Sequence, residues 1–502
     1  MNKIGFILGK ALGAMVAAIS LMLFVCLVKL QLLPAGLLIA IGVLLVLLTA
    51  MVLLLTWSGS GKVRMSIGIT LAVLLIVFLS VGTNYAWQTL DTINNVIADN
   101  TETVHVGIYV RADDTRDFDQ NAAGYRYGIL HTIDRDTTDG AINQLNEKLK
   151  TPVTCVEYQR LPELVDALLE SKVDAIIINQ SFLSMLEDMP GYAEKMGHIR
   201  EAVLKEVEDQ IEPPVAPTTP TDATSQGGVL VKPTKPIDSP KPKNDAFAVF
   251  ISGIDTVGKV SVRSRSDVNI IAVVNPQTRQ ILLISTPRDY YVPLSISGGV
   301  PDKLTHAGNF GIKVSMDTLE MLYGMEINYY FRVNFSGFEK IVDALGGVTV
   351  QSDYAFTTAQ GYKYNKGANT LDGKAALEFC RERYAFITGD HQRGKNQMAM
   401  IKGVINKLLS PALLTNYTQV LKAVEDCFEM SVPMDVISDL VSAQLSDGGS
   451  WDVVTHSVTG TGGYAVPYSM GYEVWVMHPD YKTVNQAKQM IRDVLDGKIV
   501  TP

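Results

Sequence analysis

The chain has 502 residues, too many for one hydrophobic core, so about three units of ordinary domain size are expected. It carries 43 Lys and Arg against 52 Asp and Glu, a net charge of -9, and no long basic block, which disfavours general nucleic-acid binding. Hydrophobic residues make up 47% and charged residues only 19%, so an apolar excess must be concentrated somewhere.

It is concentrated at the N-terminus. Residues 6–28, 33–57 and 65–87 are three apolar runs, each long enough to cross roughly 30 Å of hydrocarbon as a helix. No small-residue cleavage pattern follows a short first run, so they read as anchors rather than a signal peptide. Lys3 and Lys10 precede the first run, and Lys62 and Arg64 lie between the second and third. The positive-inside rule then puts the N-terminus in the cytoplasm and the remaining four-fifths of the chain outside the cell, with Lys29 a minor counter-signal. Four cysteines are few for an exported chain. Cys26 lies in a span, and Cys155, Cys380 and Cys427 have no metal-ligand spacing; buried free thiols are expected, a Cys380–Cys427 bridge being the one pairing left open.

Residues 104–110, 141–149, 151–158, 162–170 and 173–179 alternate strand-like and helix-like patterns, which predicts a small α/β accessory domain over 99–207. Asp113, Asp114, Asp117 and Asp119 lack the Gly and Glu positions of a calcium loop and read as a solvated loop. Residues 208–244 contain PPVAPTTPT and PTKPIDSPKPK, with almost nothing able to form a core, and read as a semi-rigid linker.

From 245 to 500 the texture is that of a larger α/β domain. Three apolar strands, 247–255, 268–274 and 280–285, have charged groups at their ends: Asp255 after the first, Arg265 and Asp267 just before the second, Arg288 and Asp289 after the third. Singly these are turn or cap residues. Jointly, at the ends of strands in one sheet, they point to a shared site. His306 reads as a packed helix-entry residue, 312–323 as a helix, and 327–350 as strand, helix, Gly346-Gly347 stop and strand.

The window 371–397, LDGKAALEFCRERYAFITGDHQRGKNQ, then places Arg381, Arg383, Arg393, Asp390 and Gln397 close together. A solvated helix end would explain it, but guanidinium forks match phosphate oxygens. Asp255 and Asp267 are hard oxygen donors of the kind Mg²⁺ uses together with water and substrate phosphate. A pyrophosphate between metal and arginines satisfies both demands. No P-loop, GxGxxG, serine elbow or HExxH is present. Because Arg381 and Arg383 share a side only on an extended segment, the helix after Asp372 is expected to end near Phe379, with 380–384 extended and a second, amphipathic helix over 398–409.

The ordered motifs GID, RSD, TPRD, KLTHA, VNFSGFEKIVDALGGV, LDGKAALEFCRER and GDHQRGKNQ over 246–409 resemble the LytR-CpsA-Psr family, especially capsule-associated members with three spans and an accessory domain. The resemblance implies an α-β-α catalytic domain with a central mixed sheet. It also implies a phosphotransferase that moves a glycan polymer, of capsular or teichoic-acid type, from a polyprenyl-pyrophosphate carrier to peptidoglycan outside a Gram-positive membrane, where capsule-assembly proteins are candidate partners. On that template Asp255 and Asp267 hold Mg²⁺, while Arg265, Arg288, Arg381, Arg383, Arg393 and Gln397 hold the pyrophosphate. Asp390 is the base, and an apolar tunnel for the prenyl chain draws on 327–338 and 398–409. The chain departs from the template at Asn396, where many relatives have arginine. A pyrophosphatase using water, and a membrane-tethered protein that binds lipid-linked glycan without turnover, are the competing expectations.

Overall fold

The computed structural model describes residues 3–30, 33, 35–57, 61–96, 101–210, 246–256, 259–409, 424 and 427–501. They fall into two compact units, one of residues 1–97, 408–425 and 432–450, the other of 98–407, 426–431 and 451–502. The sequence-predicted linker beyond residue 210 lies outside the described residues.

In the first unit, helices α1 (Lys3–Leu30), α2 (Ala35–Trp57) and α3 (Lys62–Val96) each contain a stretch long and apolar enough to cross a membrane: Ile7–Leu30, Gly36–Trp57 and Val63–Leu90. Val16, Leu45, Val52, Ala72 and Leu79 form their shared core, while Leu47, Leu54, Val77 and Phe78 stay more than half exposed. Outward-facing apolar side chains of this kind suit lipid as solvent. A Cβ on Gly68 would lie 2.8 Å from the Cβ of Leu55, so a small residue there sets how closely α2 and α3 approach.

Among the described residues the second unit holds two large sheets and four two-stranded ones. The first has the order β3-β2-β4-β1-β5, from β1 (Thr101–Arg111), β2 (Arg126–Leu130), β3 (Thr154–Tyr158), β4 (Ala175–Asn179) and β5 (Ile199–Gln210). Its centre is β4, whose Ile176, Ile177 and Ile178 are all buried, the continuous apolar run of a strand covered on both faces. Helix α4 (Arg135–Leu149) packs with Val104 and Val106, and α5 (Leu161–Leu169) covers the other side through Leu161, Leu164, Val165 and Leu168. Strands β2 and β5 were not predicted. The first follows a Gly/Asp/Arg-rich stretch, and the second, IREAVLKEVEDQ, is a charge-rich edge strand that continues past Val207. The aspartates of 113–119 are not a uniformly solvated loop either. Asp114 is 8% exposed and paired with Arg116 at 2.7 Å, and Asp117 caps a short helix by accepting from the amide of Gln120.

The larger sheet is mixed and six-stranded, with order β10-β9-β6-β7-β8-β11. These are β6 (Phe247–Ile254), β7 (Ser266–Asn275), β8 (Gln280–Thr286), β9 (Tyr329–Asn334), β10 (Phe428–Met430) and β11 (Asp452–Ser457). β6 pairs parallel with β9 and β8 parallel with β11, whereas β6-β7, β7-β8 and β9-β10 are antiparallel. One face packs on α6 (Ile312–Tyr323) and α10 (Tyr481–Leu495) through Phe250, Ile271, Ile284, Leu319 and Ile491. The other meets α9 (Asp390–Leu408) through Ile270, Leu283, Met398, Ile401 and Ile405, which completes an α-β-α layering. Helix α7 (Phe335–Ala344) ends at Gly346 and Gly347, whose φ of 70° and 85° need glycine.

His306 is fully buried in a 3-10 turn (Leu304–Phe310), its Nδ1 2.7 Å from Asp302 and 3.2 Å from the hydroxyl of Ser469. Carboxylate and hydroxyl meet the same ring nitrogen, so the three residues are packing rather than a relay. Cys26, Cys155, Cys380 and Cys427 are all free thiols.

Candidate functional site

Strand β6 ends beside a β-bulge. Gly253 pairs with Val268 and Ile254 with Ser266, so Asp267 is the extra residue on β7 and is turned out of the ladder. It points to where β8 ends in Thr-Pro-Arg-Asp. Arg288 places Nη1 3.1 and 3.0 Å from the two carboxylate oxygens of Asp267. Thr305 donates to the same carboxylate at 3.0 Å, while its backbone amide donates to the carbonyl of Arg288 at 2.8 Å. Burial alone would raise the Asp267 carboxyl, but the guanidiniums of Arg288, Arg393 and Arg265 outweigh it and hold the group below its ordinary value.

The opposite wall is the start of α9. Asp390, Arg393 and Gln397 stand at spacings of three and four, so one helix face carries all three. With Asp267, Ser285, Thr286, Arg288, His391, Ser457 and Val458 they line one cleft. Gly394 permits the approach, since a Cβ there would lie 2.8 Å from Oγ of Ser285. Asp390 contacts Arg393 at 2.5 Å as an ion pair without hydrogen-bond alignment. Burial pushes the Asp390 carboxyl up and Asp289 adds to the rise, against the pull of Arg393, Arg288 and Arg383. Arg393 moves down for the same reason, burial first, with Arg288 and Arg383 repelling it. The cleft therefore gathers cations at close quarters with a carboxyl that holds its proton more tightly than usual.

The sequence-predicted residues divide accordingly. Asp267, Arg288, Asp390, Arg393 and Gln397 come together. Arg265, 7% exposed, sits behind them 3.7 Å from Asp255 and adds its charge to the field at Asp267. Arg383 acts on Asp390 and Arg393 from the rim, its Nη2 donating to the hydroxyl of Tyr384 at 2.7 Å. Arg381 is not in the cleft: helix α8 (Gly373–Arg381) continues two residues past Phe379, and the guanidinium lies over the ring of Phe335 at 4.7 Å. The extended segment starts only at Glu382, because the amide of Glu382 still donates to Glu378. Helix α9 starts at Asp390 rather than at Met398, so the residues ahead of the expected helix are helical and carry Asp390, Arg393 and Gln397.

Asp255 and Asp267 are hard oxygen donors, and no group of three or more candidate metal ligands occurs among the described residues. The Asp255 side chain is 41% exposed, and Asp267 has spent three of its roughly four lone-pair positions on Arg288 and Thr305. Asp267 thus has about one acceptor position left, so a cation held there would draw most of its shell from water and phosphate.

The family described as LytR_cpsA_psr matches residues 219–490. The chain belongs to this family. A relative from Enterococcus faecalis (strain ATCC 700802 / V583), named polyisoprenyl-teichoic acid–peptidoglycan teichoic acid transferase TagU, is 38% identical over 194 residues, 38% of this chain and 63% of the relative. The TagU of Bacillus subtilis (strain 168) is 34% identical over 221 residues, 44% of this chain and 70% of its own length. The crystal structure of B. subtilis TagU is 30% identical, covers 51% of this chain and 99% of that one, and has a TM-score of 0.40.

The departure of this LytR_cpsA_psr chain at Asn396 leaves the cleft intact. Asn396 is 2% exposed and faces α8, donating to the carbonyl of Phe379 at 3.2 Å and accepting from Gln392 at 3.1 Å. It ties the two helices together. Thr305, Ser285 and Ser457 are site residues the sequence reading passed over, since a hydroxyl in an apolar strand or short turn gives no signal of its own.

Proposed function

We propose that this chain transfers a glycan polymer from a polyprenyl-pyrophosphate carrier to a peptidoglycan hydroxyl on the outer side of a membrane. The activity for which the relatives are named supports this reading, as do three helices able to hold the protein beside a lipid-borne donor. The observation that carries it is the cleft where Arg288 and Arg393 flank Asp390.

In the proposed reaction, Arg288, Arg383 and Arg393 bind the pyrophosphate oxygens and, with the charge of Arg265 behind them, stabilise the charge that builds as the phosphoryl group transfers. Gln397 donates from the same helix face. Asp390 accepts the proton of the acceptor hydroxyl as its oxygen bonds to the glycan-bearing phosphorus. The bridging P–O bond breaks and polyprenyl phosphate leaves. A raised carboxyl is the stronger base for this step, provided the working pH keeps it ionised. Asp255 and Asp267 would hold Mg²⁺, which when bound supplies further neutralisation of the pyrophosphate. The half-buried apolar side chains between the sheet and α9, Val249, Ile251, Ile401 and Ile405 among them, are proposed to receive the prenyl chain.

The test is Asp390→Asn in the full-length chain. Transfer is expected to fall by about two to four orders of magnitude while binding of a polyprenyl-pyrophosphate donor persists. Equal transfer rates in variant and wild type would remove Asp390 as the base.

A further inference from the structure

The accessory sheet reaches into the larger domain with a buried carboxylate at the start of its first strand. Glu102, the second residue of β1, is 2% exposed. Its Oε1 pairs with Nη1 of Arg332 on β9, and its Oε2 accepts from Nε of Arg263 at 3.1 Å. The backbone amide of Ile312, at the start of α6, donates to the same carboxylate at 3.1 and 3.3 Å. Such a group is fixed on three sides.

Backbone pairing reinforces the contact. On the β4 side β1 is paired from Val106 onward, and its open beginning takes up the segment 261–263 instead. The amide of Thr103 donates to Ser261 at 3.0 Å, and the amide of Arg263 donates to Thr103 at 3.0 Å. That segment is the run into β7 and carries Arg265 and Asp267 two and four residues further on. Gly308 backs it from the other side, where a Cβ would lie 2.4 Å from the carbonyl oxygen of Ser264 and 2.7 Å from the amide of Ser266. Segment 261–266 is thus clamped between β1 and the 3-10 turn. A second brace exists as well: Phe182 meets Phe310 edge-on at 5.1 Å, and Met470, Val474 and Val476 join the accessory core. Val474 and Val476 belong to a strand whose Met477 donates its amide to the carbonyl of Asp289, beside Arg288.

We propose that Glu102 is a positioning residue for the anion site: the accessory domain's first strand fixes segment 261–266 through this carboxylate, and so sets where Arg265 and Asp267 stand. This rests on the reading of the cleft as a pyrophosphate site. Glu102 lies outside the segment that the family matches, so the role belongs to the layout of this chain.

The experiment uses the full chain in detergent, with wild type, Glu102→Gln, Glu102→Asp and Arg263→Met. Backbone hydrogen exchange is followed at 259–267 and, as an internal control, at β4. Binding of inorganic pyrophosphate with Mg²⁺ is measured by calorimetry. Glu102→Gln and Arg263→Met are expected to raise exchange across 261–266 about tenfold and to weaken pyrophosphate binding by a similar factor, with β4 protection unchanged and Glu102→Asp intermediate. Unchanged exchange and affinity in both variants overturns the proposal, and so does a parallel loss of protection in β4, which would make Glu102 a general folding residue. If wild type itself fails to bind pyrophosphate, the pyrophosphate reading of the cleft fails, while the exchange data still decide whether the clamp exists.

Discussion

Two arginines of the larger domain are buried to a similar degree and live in opposite electrostatic settings. Arg332, 2% exposed, lies between Glu102 and Glu429, the latter at 2.7 Å and itself held by the hydroxyl of Tyr330 at 2.7 Å. Burial works against its charge, yet the two carboxylates outweigh burial and raise the guanidinium above its ordinary value. Arg393, 8% exposed, is pushed down by burial first and by Arg288 and Arg383 after it, against the pull of Asp390 and Asp267. Arg332 has two carboxylates in direct contact, whereas Arg393 has one in contact, Asp267 as a further counter-charge, and two guanidiniums against it. Both guanidiniums are penalised by burial, and the net fixed charge around each decides the sign of its shift; on the proposed reading Arg393 is the one whose charge a ligand anion would balance.

That contrast can be broken most directly at Arg332. Replacing it by alanine leaves Glu102 and Glu429 buried without their shared cation, and is expected to cost about 3–5 kcal/mol of unfolding free energy by urea denaturation. A loss below about 1 kcal/mol would place Arg332 with the ligand-binding class. Arg393→Ala should show the reverse balance. Stability is expected to fall by only about 1–2 kcal/mol, because Asp390 can take up a proton once its partner is gone. Affinity for pyrophosphate is expected to drop about ten- to a hundredfold, the weight of a charge-assisted hydrogen bond; unchanged affinity in calorimetry would undo the comparison.

The smallest effect is in the pH dependence of stability. Asp267 is depressed from its ordinary 3.8, so its contribution is present above that value and fades as pH falls through the lower folded value. Asp390 is raised, so its contribution is present below 3.8 and is lost as pH rises through the folded value. The stability gap between wild type and Asp267→Asn should therefore narrow below about pH 4, while Asp390→Asn should be no less stable than wild type at neutral pH. Parallel pH profiles for the two variants would show that the carboxylates are not in opposite fields.

The sequence made legible what apolar runs and glycines dictate. The cores of β6, β7 and β8, helix α6, and the strand–helix–glycine–strand of 327–350 stand where hydrophobic periodicity placed them. Most of the site was legible too, because charged residues at strand ends are conspicuous against apolar strands. Helix α9 hid its first two turns: GDHQRGKNQ has two glycines and no apolar stripe, and only the contact of Gly394 with β8 and of Asn396 with α8 makes it helical there. Arg381 was misplaced for a local reason, one further turn of hydrogen bonding in α8, which two-residue spacing cannot reveal. Glu102 gave no signal because its partners are 161, 210 and 230 residues away in the chain.

The helix face that carries Asp390, Arg393 and Gln397 also works as a ruler. Seven residues at 1.5 Å each set a row about 10 Å long, fixed by backbone hydrogen bonds rather than by loop conformation. Carboxyl, guanidinium and amide therefore keep their backbone spacing whatever the rest of the cleft does. On the proposed reading, an anion bound to Arg393 is registered against Asp390 by the helix itself.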